Sequence, residues 1–227
     1  LDPNYGDAWN ECGTALPYLE RYEEAVESYD RALLINPDSA STWYNRGNAL
    51  THLERYQDAL GSYDKAKAIN PDHAETWNNH GVVLYHQGAF KEALISYQKA
   101  AELDPNNASY QFNVISVQFI MGQDKIVQSG IEQYLSSMPM DAKAWDMKGC
   151  MLLRLHLYKE ALAAFERACA ISPANALYHY NMGVALQRLK KKQEAARHFR
   201  ISLKEDDTFQ EAEEALRLVD SEHPVWW

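Results

Sequence analysis

The chain has 227 residues, of which 46% are hydrophobic and 24% charged, a balance typical of a folded protein rather than a disordered one. Its formal net charge of −10 argues against nucleic acid as the main partner, because phosphate binding needs a basic surface. No run of about 18 apolar residues is present, so the sequence predicts no membrane-spanning segment and no membrane partner.

The cysteines Cys12, Cys150 and Cys169 are few and lack the C-x-x-C spacing of metal or redox sites. His52 and His86 stand 34 residues apart, but two imidazoles without a third ligand make a poor metal site. We therefore expect no disulfide framework, no bound metal and no cofactor. A reducing compartment fits these cysteines best, so we expect a cytoplasmic location.

The first five residues, LDPNY, return in altered form as LDPNN at residues 103–107. The reason is a strict period of 34 residues in proline, at Pro3, Pro37, Pro71, Pro105, Pro139 and Pro173. Pro3 lies one period before Pro37. We therefore expect residues 1–5 to be the end of an upstream repeat whose body is absent from this chain.

Four other residue types keep the same period as proline. Glycine recurs at Gly13, Gly47, Gly81, Gly149 and Gly183, and tryptophan four residues earlier at Trp9, Trp43, Trp77 and Trp145. Alanine recurs at Ala25, Ala59, Ala93, Ala161 and Ala195, followed by an aromatic residue at Tyr29, Tyr63, Tyr97, Phe165 and Phe199. Their spacings of three and four residues place them on single faces of two helices in each period.

The spacing also predicts where these helices meet and end. The small Gly47 and Ala59 are expected to let the two helices approach closely, with the aromatic residues filling the surrounding volume. Each proline ends the second helix, since it cannot donate the next hydrogen bond. The residue after it, Asp38 in the second period and Asp72 in the third, is expected to N-cap the following helix. Pro17 should bend the end of the first helix.

This pattern resembles the tetratricopeptide repeat family, whose W-x2-L-G-x2-Y…A-x3-F…P signature is matched by WYNRGNAL…AL.SYDKA…NP at residues 43–71. The resemblance implies an all-α fold, a right-handed α-α superhelix (solenoid), in which the first helix of each hairpin lines a concave groove. Six 34-residue hairpins are predicted over residues 6–209, at 6–39, 40–73, 74–107, 108–141, 142–175 and 176–209. Residues 210–227 are expected to form a capping helix and a tail that carries Trp226 and Trp227.

The fourth repeat, residues 108–141, is degenerate. It has Gln111 in place of tryptophan, Ile115 in place of glycine and Ile131 in place of the aromatic residue. A large residue thus replaces a small one where the helices should touch, while smaller or polar residues replace the large ones beside it. We predict a folded but splayed hairpin that changes the local curvature of the superhelix.

The face of each first helix opposite tryptophan and glycine should point into the groove. In the second repeat this face carries Ser41, Tyr44, Asn48 and Thr51, at spacings of three, four and three residues. By the same register, we expect a ligand to contact Tyr44, Asn48, Asn78, Tyr85, Phe112, Phe119, Lys143, Arg154, Tyr180 and Arg188.

Asparagine also recurs two residues before the glycine position, at Asn45, Asn79, Asn113 and Asn181. Matching asparagines in the superhelix of O-linked N-acetylglucosamine transferase grip the backbone of a bound peptide, so the resemblance implies a peptide clamp here. An amide suits this task because it donates and accepts at once. The alternative is that asparagine is simply common at this position in the family. Glu11 and Met147 interrupt the series.

No dinucleotide-binding, Walker A, zinc-protease or nucleophile-elbow motif is present, so we predict that the chain is not an enzyme. The preferred hypothesis is a non-catalytic protein–protein interaction scaffold that binds an extended peptide or a partner protein in the groove. One alternative is the substrate-recruiting arm of a larger enzyme, such as a glycosyltransferase. The other is a self-assembly module, acting through terminal repeats or the Trp226 and Trp227 tail.

Overall fold

The computed structural model describes residues 5–221, and this range forms thirteen α-helices and no strand. The helices are α1 Gly6–Ala15, α2 Tyr22–Ile35, α3 Ala40–His52, α4 Tyr56–Ile69, α5 Ala74–His86, α6 Phe90–Leu103, α7 Ala108–Ile120, α8 Asp124–Ser137, α9 Ala142–Arg154, α10 Tyr158–Ile171, α11 Ala176–Arg188, α12 Lys192–Glu205 and α13 Gln210–Ser221. The predicted all-α repeat fold is confirmed. The expectations for residues 1–4 and for Trp226 and Trp227 lie outside the described residues.

The chain divides into two compact units, residues 1–117 and 118–227, and the division falls inside α7. In the first unit the helices of each pair pack together, as α3 does with α4, and each pair packs on the next. The same holds for α9 to α13 in the second unit. The predicted repeat boundaries and the splayed geometry of the fourth repeat, which involves both units, stay predictions.

The contact at the centre of each regular hairpin joins a glycine to an aromatic ring. A Cβ added to Gly47 would lie 2.6 Å from Cε1 of Tyr63, closer than real side chains approach. The equivalent pairs have closest distances of 2.4–2.8 Å; they are Gly13 with Tyr29, Gly81 with Tyr97, Gly149 with Phe165 and Gly183 with Phe199. The sequence predicted that Gly47 and Ala59 let the two helices approach closely, with the aromatic residues around the contact. The aromatic ring covers the glycine directly, and Ala59 is buried in the same core.

The glycine contact predicts opposite effects for two alanine substitutions in the same repeat. Gly47→Ala should lower the free energy of unfolding by about 1–3 kcal/mol, because the methyl group would overlap the Tyr63 ring. Gly61→Ala in α4 should raise it by about 0.5–1 kcal/mol, since a Cβ there meets nothing within 4 Å and alanine favours helix. Urea unfolding followed by circular dichroism measures both. Equal stability of the two variants would contradict the assigned contact.

The side chain at the tryptophan position forms a hydrogen bond that joins the first helix to the proline before it. Nε1 of Trp43, Trp77 and Trp145 donates to the carbonyl oxygen of the proline six residues earlier, at 2.7–2.9 Å. In the degenerate fourth repeat, Nε2 of Gln111 donates to Pro105 in the same way. In the sixth, Nε2 of His179 lies 2.9 Å from the Pro173 oxygen. Since a carbonyl only accepts, His179 carries a proton on Nε2.

The predicted N-caps are wrong by one residue. Asp38 and Asp72 lie in the turn after proline, and the cap is the following residue, which has the extended backbone that this position needs. The hydroxyl oxygen of Ser39 accepts from the backbone N–H of Thr42. Asp141 and Asn175 cap α9 and α11 in the same way, whereas His73 at the start of α5 makes no such bond.

The turn between the helices of each hairpin contains a residue with left-handed backbone. These residues have φ between 57 and 74° and are Glu20, Glu54, Gly88, Gly122, His156 and Lys190. The N–H of the next residue donates to the carbonyl oxygen five residues earlier and so closes the end of the first helix. In the third hairpin, Ala89 N–H donates to the Leu84 oxygen at 2.9 Å. In the first hairpin, α1 ends at Ala15 and a 3₁₀ turn spans Leu16–Leu19, because Pro17 lacks the N–H that would extend the α-helix.

Candidate ligand-binding surface

The groove face consists of the first-helix residues at the positions of Ser41, Tyr44, Asn45, Asn48 and Thr51. In the first unit it carries a network of hydrogen bonds between α3 and α5. Nδ2 of Asn79 donates to Oδ1 of Asn48 at 3.0 Å and to the Tyr44 hydroxyl at 3.3 Å. The Tyr44 hydroxyl in turn donates to Glu75 at 3.2 Å. Asn79 therefore joins two neighbouring first helices.

The same network continues from α5 to α7. Nδ2 of Asn113 donates to Oδ1 of Asn78 at 2.7 Å, and Nδ2 of Asn78 donates to Oδ1 of Asn79 at 3.0 Å. The buried Tyr63 hydroxyl of α4 also donates to Oδ1 of Asn48, at 2.7 Å. Burial raises the pKa of Tyr63, which keeps its hydroxyl protonated as a donor. Asparagines of three successive first helices are thus linked in one chain of hydrogen bonds.

Asn45 occupies the equivalent position but does not join this chain of hydrogen bonds. It lines a cavity of about 260 Å³ between α1 and α3, together with Tyr18 and His52. The residue 35 positions before Asn45, where Asn113 and Asn181 have their acceptors, is Asn10 of α1, and its Oδ1 accepts from the Thr42 hydroxyl at 3.0 Å. The asparagine series therefore acts in two different ways, a distinction that its regular spacing does not reveal.

In the second unit the equivalent bond ends on a carboxylate. Nδ2 of Asn181 donates to Oδ1 of Asp146 at 2.8 Å and approaches the Cys150 sulfur at 3.7 Å. Burial raises the pKa of Asp146 to about 6, although the bond from Asn181 acts in the opposite direction. Burial and the nearby Asp146 charge raise the pKa of the Cys150 thiol to about 12, so this thiol stays neutral.

Asp146 was not among the residues predicted from the sequence. It lies on the groove face at the position of Tyr44, Asn78 and Tyr180, since all four belong to one 34-residue register. Continuing that register through α9 would have identified it.

Arg154 is paired within the chain. Its guanidinium lies 3.8 Å from the centre of the Phe119 ring and donates to the Phe119 carbonyl oxygen and to Asp124. Arg154 and Phe119 thus secure the turn between α7 and α8. Lys143 and Arg188 are exposed, and neither forms an ion pair in residues 118–221. The Tyr180 ring packs between Phe199 and Phe209, at centroid distances of 5.8 and 5.0 Å.

The two equivalent histidines lie against tyrosines of neighbouring second helices. The His52 ring stacks on Tyr22 with centroids 4.5 Å apart, and the His86 ring on Tyr56 at 6.2 Å. Across residues 5–221, no group of three or more His, Cys, Asp or Glu side chains is arranged to hold a metal ion. Over the same range, no helix combines the length and apolar character needed to cross a bilayer.

Helical pairs repeating every 34 residues with a polar groove face define an α-helical repeat protein. A family model described as tetratricopeptide repeat matches residues 38–106, and one described as TPR repeat matches residues 18–53 and 157–190. The chain belongs to the tetratricopeptide repeat family. Proteins of this family are typically non-catalytic scaffolds for protein interaction. No curated protein matches the sequence.

Solved structures share the fold at low sequence identity. YrrB, described as a TPR protein with an unusual peptide-binding site, is 22% identical with a TM-score of 0.69, over 85% of this chain and 99% of its own. PilW, a type IV pilus biogenesis factor, is 19% identical with a TM-score of 0.76, over 94% and 97%. Pseudomonas aeruginosa PilF is 20% identical with a TM-score of 0.75, over 92% and 95%.

The position of Asp146 predicts a pH-dependent gain in stability on neutralising its charge. Its folded-state pKa is raised, so the folded chain binds more protons than the unfolded chain between about pH 4 and 6, and stability falls as the pH rises through that window. Asp146→Asn should therefore raise the free energy of unfolding at about pH 7.5 by on the order of 1–3 kcal/mol, and by almost nothing at about pH 4. Urea unfolding at both pH values tests this. A gain of equal size at both would rule out charge burial as its cause.

Proposed function

We propose that this chain is a non-catalytic scaffold that binds an extended peptide, or an extended segment of a partner protein, on the groove face of its first helices. The observation that carries the proposal is the asparagine network of α3, α5 and α7. Its bonds hold Asn48, Asn78 and Asn113 in fixed orientations before any ligand arrives. Side chains ordered in advance lose less conformational entropy on binding.

Asn113 is the member of this network best suited to contact the ligand. One N–H of Asn113 is used by Asn78, and within residues 5–221 no side chain bonds to its Oδ1. The amide thus presents a donor and an acceptor side by side, the complement of a backbone peptide group. Asn79 differs, because it donates to two groups and accepts from Asn78. We therefore assign Asn79 a positioning role and Asn113 a contact role.

Aromatic side chains next to the network supply apolar contact area. Tyr85 and Phe112 are half-buried and lie at groove-face positions of α5 and α7. The Tyr85 ring packs edge-on against Phe90 at 5.6 Å, which leaves part of its surface for a ligand. Half-buried aromatic residues beside ordered polar groups are typical anchors for bound side chains.

The comparisons agree with a binding role but do not identify the partner. YrrB, which shares this fold, is described as having a peptide-binding site. For the second unit we propose that Tyr180, Asn181, Lys143 and Arg188 also belong to the binding surface. Arg154 and Phe119 are already bound to each other, so we expect them to shape the surface rather than to contact the ligand.

A random peptide library displayed on phage and selected against the immobilised chain provides the test. Synthetic peptides from the selection should bind the wild-type chain in fluorescence anisotropy, and Asn113→Ala should weaken them about tenfold or more through lost hydrogen bonds. Asn106→Ala is the matched control, because Asn106 is an exposed loop residue outside the groove face. Recovery of no binding peptide, or equal binding by Asn113→Ala and wild type, would overturn the proposal.

A further inference from the structure

We propose that the groove face of α9 and α11 contains a subsite for a cationic side chain, lysine or arginine, of the bound peptide, with Asp146 as its counter-ion. This inference rests on the proposed peptide-binding function. It adds a chemical requirement on the ligand that the asparagine network of the first unit does not impose. Asn78 of α5 and Asp146 of α9 occupy equivalent positions in the 34-residue register.

The two positions make the same structural bond with different chemistry. In α5, Oδ1 of Asn78 accepts from Asn113 at 2.7 Å. In α9, Oδ1 of Asp146 accepts from Asn181 at 2.8 Å. Both bonds join a groove-face residue to an asparagine 35 residues later. A neutral amide is therefore sufficient to make the link between neighbouring first helices, and the carboxylate of Asp146 adds only a negative charge.

That charge is unfavourable in the free protein. Asp146 is half-buried, and a buried carboxylate loses hydration unless a cation or several donors replace the water. Asn181 supplies one hydrogen bond. Nothing in the structural link to α11 requires the charge, so we assign it to recognition. Binding sites commonly retain features that lower the stability of the free protein.

No cation of this unit neutralises Asp146. Within residues 118–221, its carboxylate forms no ion pair, and two of the three basic side chains of α9 have other acidic partners. Arg154 pairs with Asp124, and Lys148 lies 3.8 Å from Glu132. Lys143, one turn before Asp146, is exposed and unpaired. The counter-ion is therefore left for a ligand to supply.

The surroundings of Asp146 favour a cationic side chain over other ligand groups. An anionic group would be repelled, and a neutral group would leave the charge unpaired. The neighbouring Cys150 stays a neutral thiol and offers no competing charge. A lysine or arginine would form a charge-assisted hydrogen bond, which is stronger in a partly dehydrated site than in water. The chain's net charge of −10 also favours the approach of basic peptides.

A double-mutant cycle between protein and peptide tests the subsite. Peptides selected from the random library on wild-type chain are synthesised with each lysine or arginine replaced singly by alanine. For one such position, the replacement should weaken binding to the wild-type chain about tenfold or more. On Asp146→Asn the same replacement should have almost no effect, because the charge it pairs with is gone. This variant retains an acceptor for Asn181, so its fold should remain intact.

Glu160→Gln is the matched control, since it removes one negative charge from an exposed residue of α10 in the same unit. It should leave the effect of each peptide replacement unchanged. If the selected peptides bind but lack basic residues, or if their basic residues matter equally on Asp146→Asn, the subsite is overturned while the peptide-binding function stands. If the library yields no binding peptide, the proposed function fails and the subsite with it.

Discussion

Each regular hairpin depends on a glycine that has no room for a side chain. The ring of Tyr63 occupies the space where a Cβ of Gly47 would lie, and four other hairpins repeat this contact. It fixes the distance and rotation of the second helix relative to the first. The direction of the groove face follows, because that face lies opposite the glycine on the first helix. In the fourth repeat both partners are changed, to Ile115 and Ile131, and each is buried within its own unit.

The groove faces of the two units contain the same type of hydrogen bond between neighbouring first helices, but the acceptor is an amide in one unit and a carboxylate in the other. In residues 5–117 an amide network presents neutral donors and acceptors, which suit any peptide backbone. In residues 118–221 the equivalent bond from Asn181 ends on the charged Asp146. A scaffold of this kind can combine sequence-independent backbone contacts with one side-chain preference. Under the proposed function, specificity would depend on single substitutions within the register rather than on a change of fold.

The sequence was sufficient to predict the helices, the buried face and the effect of Pro17, since these depend on period and on backbone chemistry. The N-caps were placed one residue early because the turn after proline includes Asp38, a detail of backbone angles that spacing does not encode. Regular spacing also suggested equal roles for Asn45 and Asn79. They differ in their partners: Asn79 donates to Asn48 and Tyr44 of α3, whereas α1 has Thr14 at the position of Asn48 and offers no amide acceptor there. Asp146 belongs to the same register as Asn78 and Tyr180, but its burial and its bond to Asn181 depend on the packing of α9 on α11.

The hydrogen bond to the proline carbonyl oxygen shows which property the repeat requires of the side chain at its tryptophan position. Tryptophan, glutamine and histidine all place an N–H on the carbonyl oxygen six residues earlier. The side chain must therefore carry an N–H that reaches this carbonyl oxygen, and it need not be aromatic. A repeat can lose its most recognisable residue and still keep the loop in place. In the fourth repeat, Gln111 therefore keeps the hydrogen bond to the preceding loop although the family's tryptophan is absent.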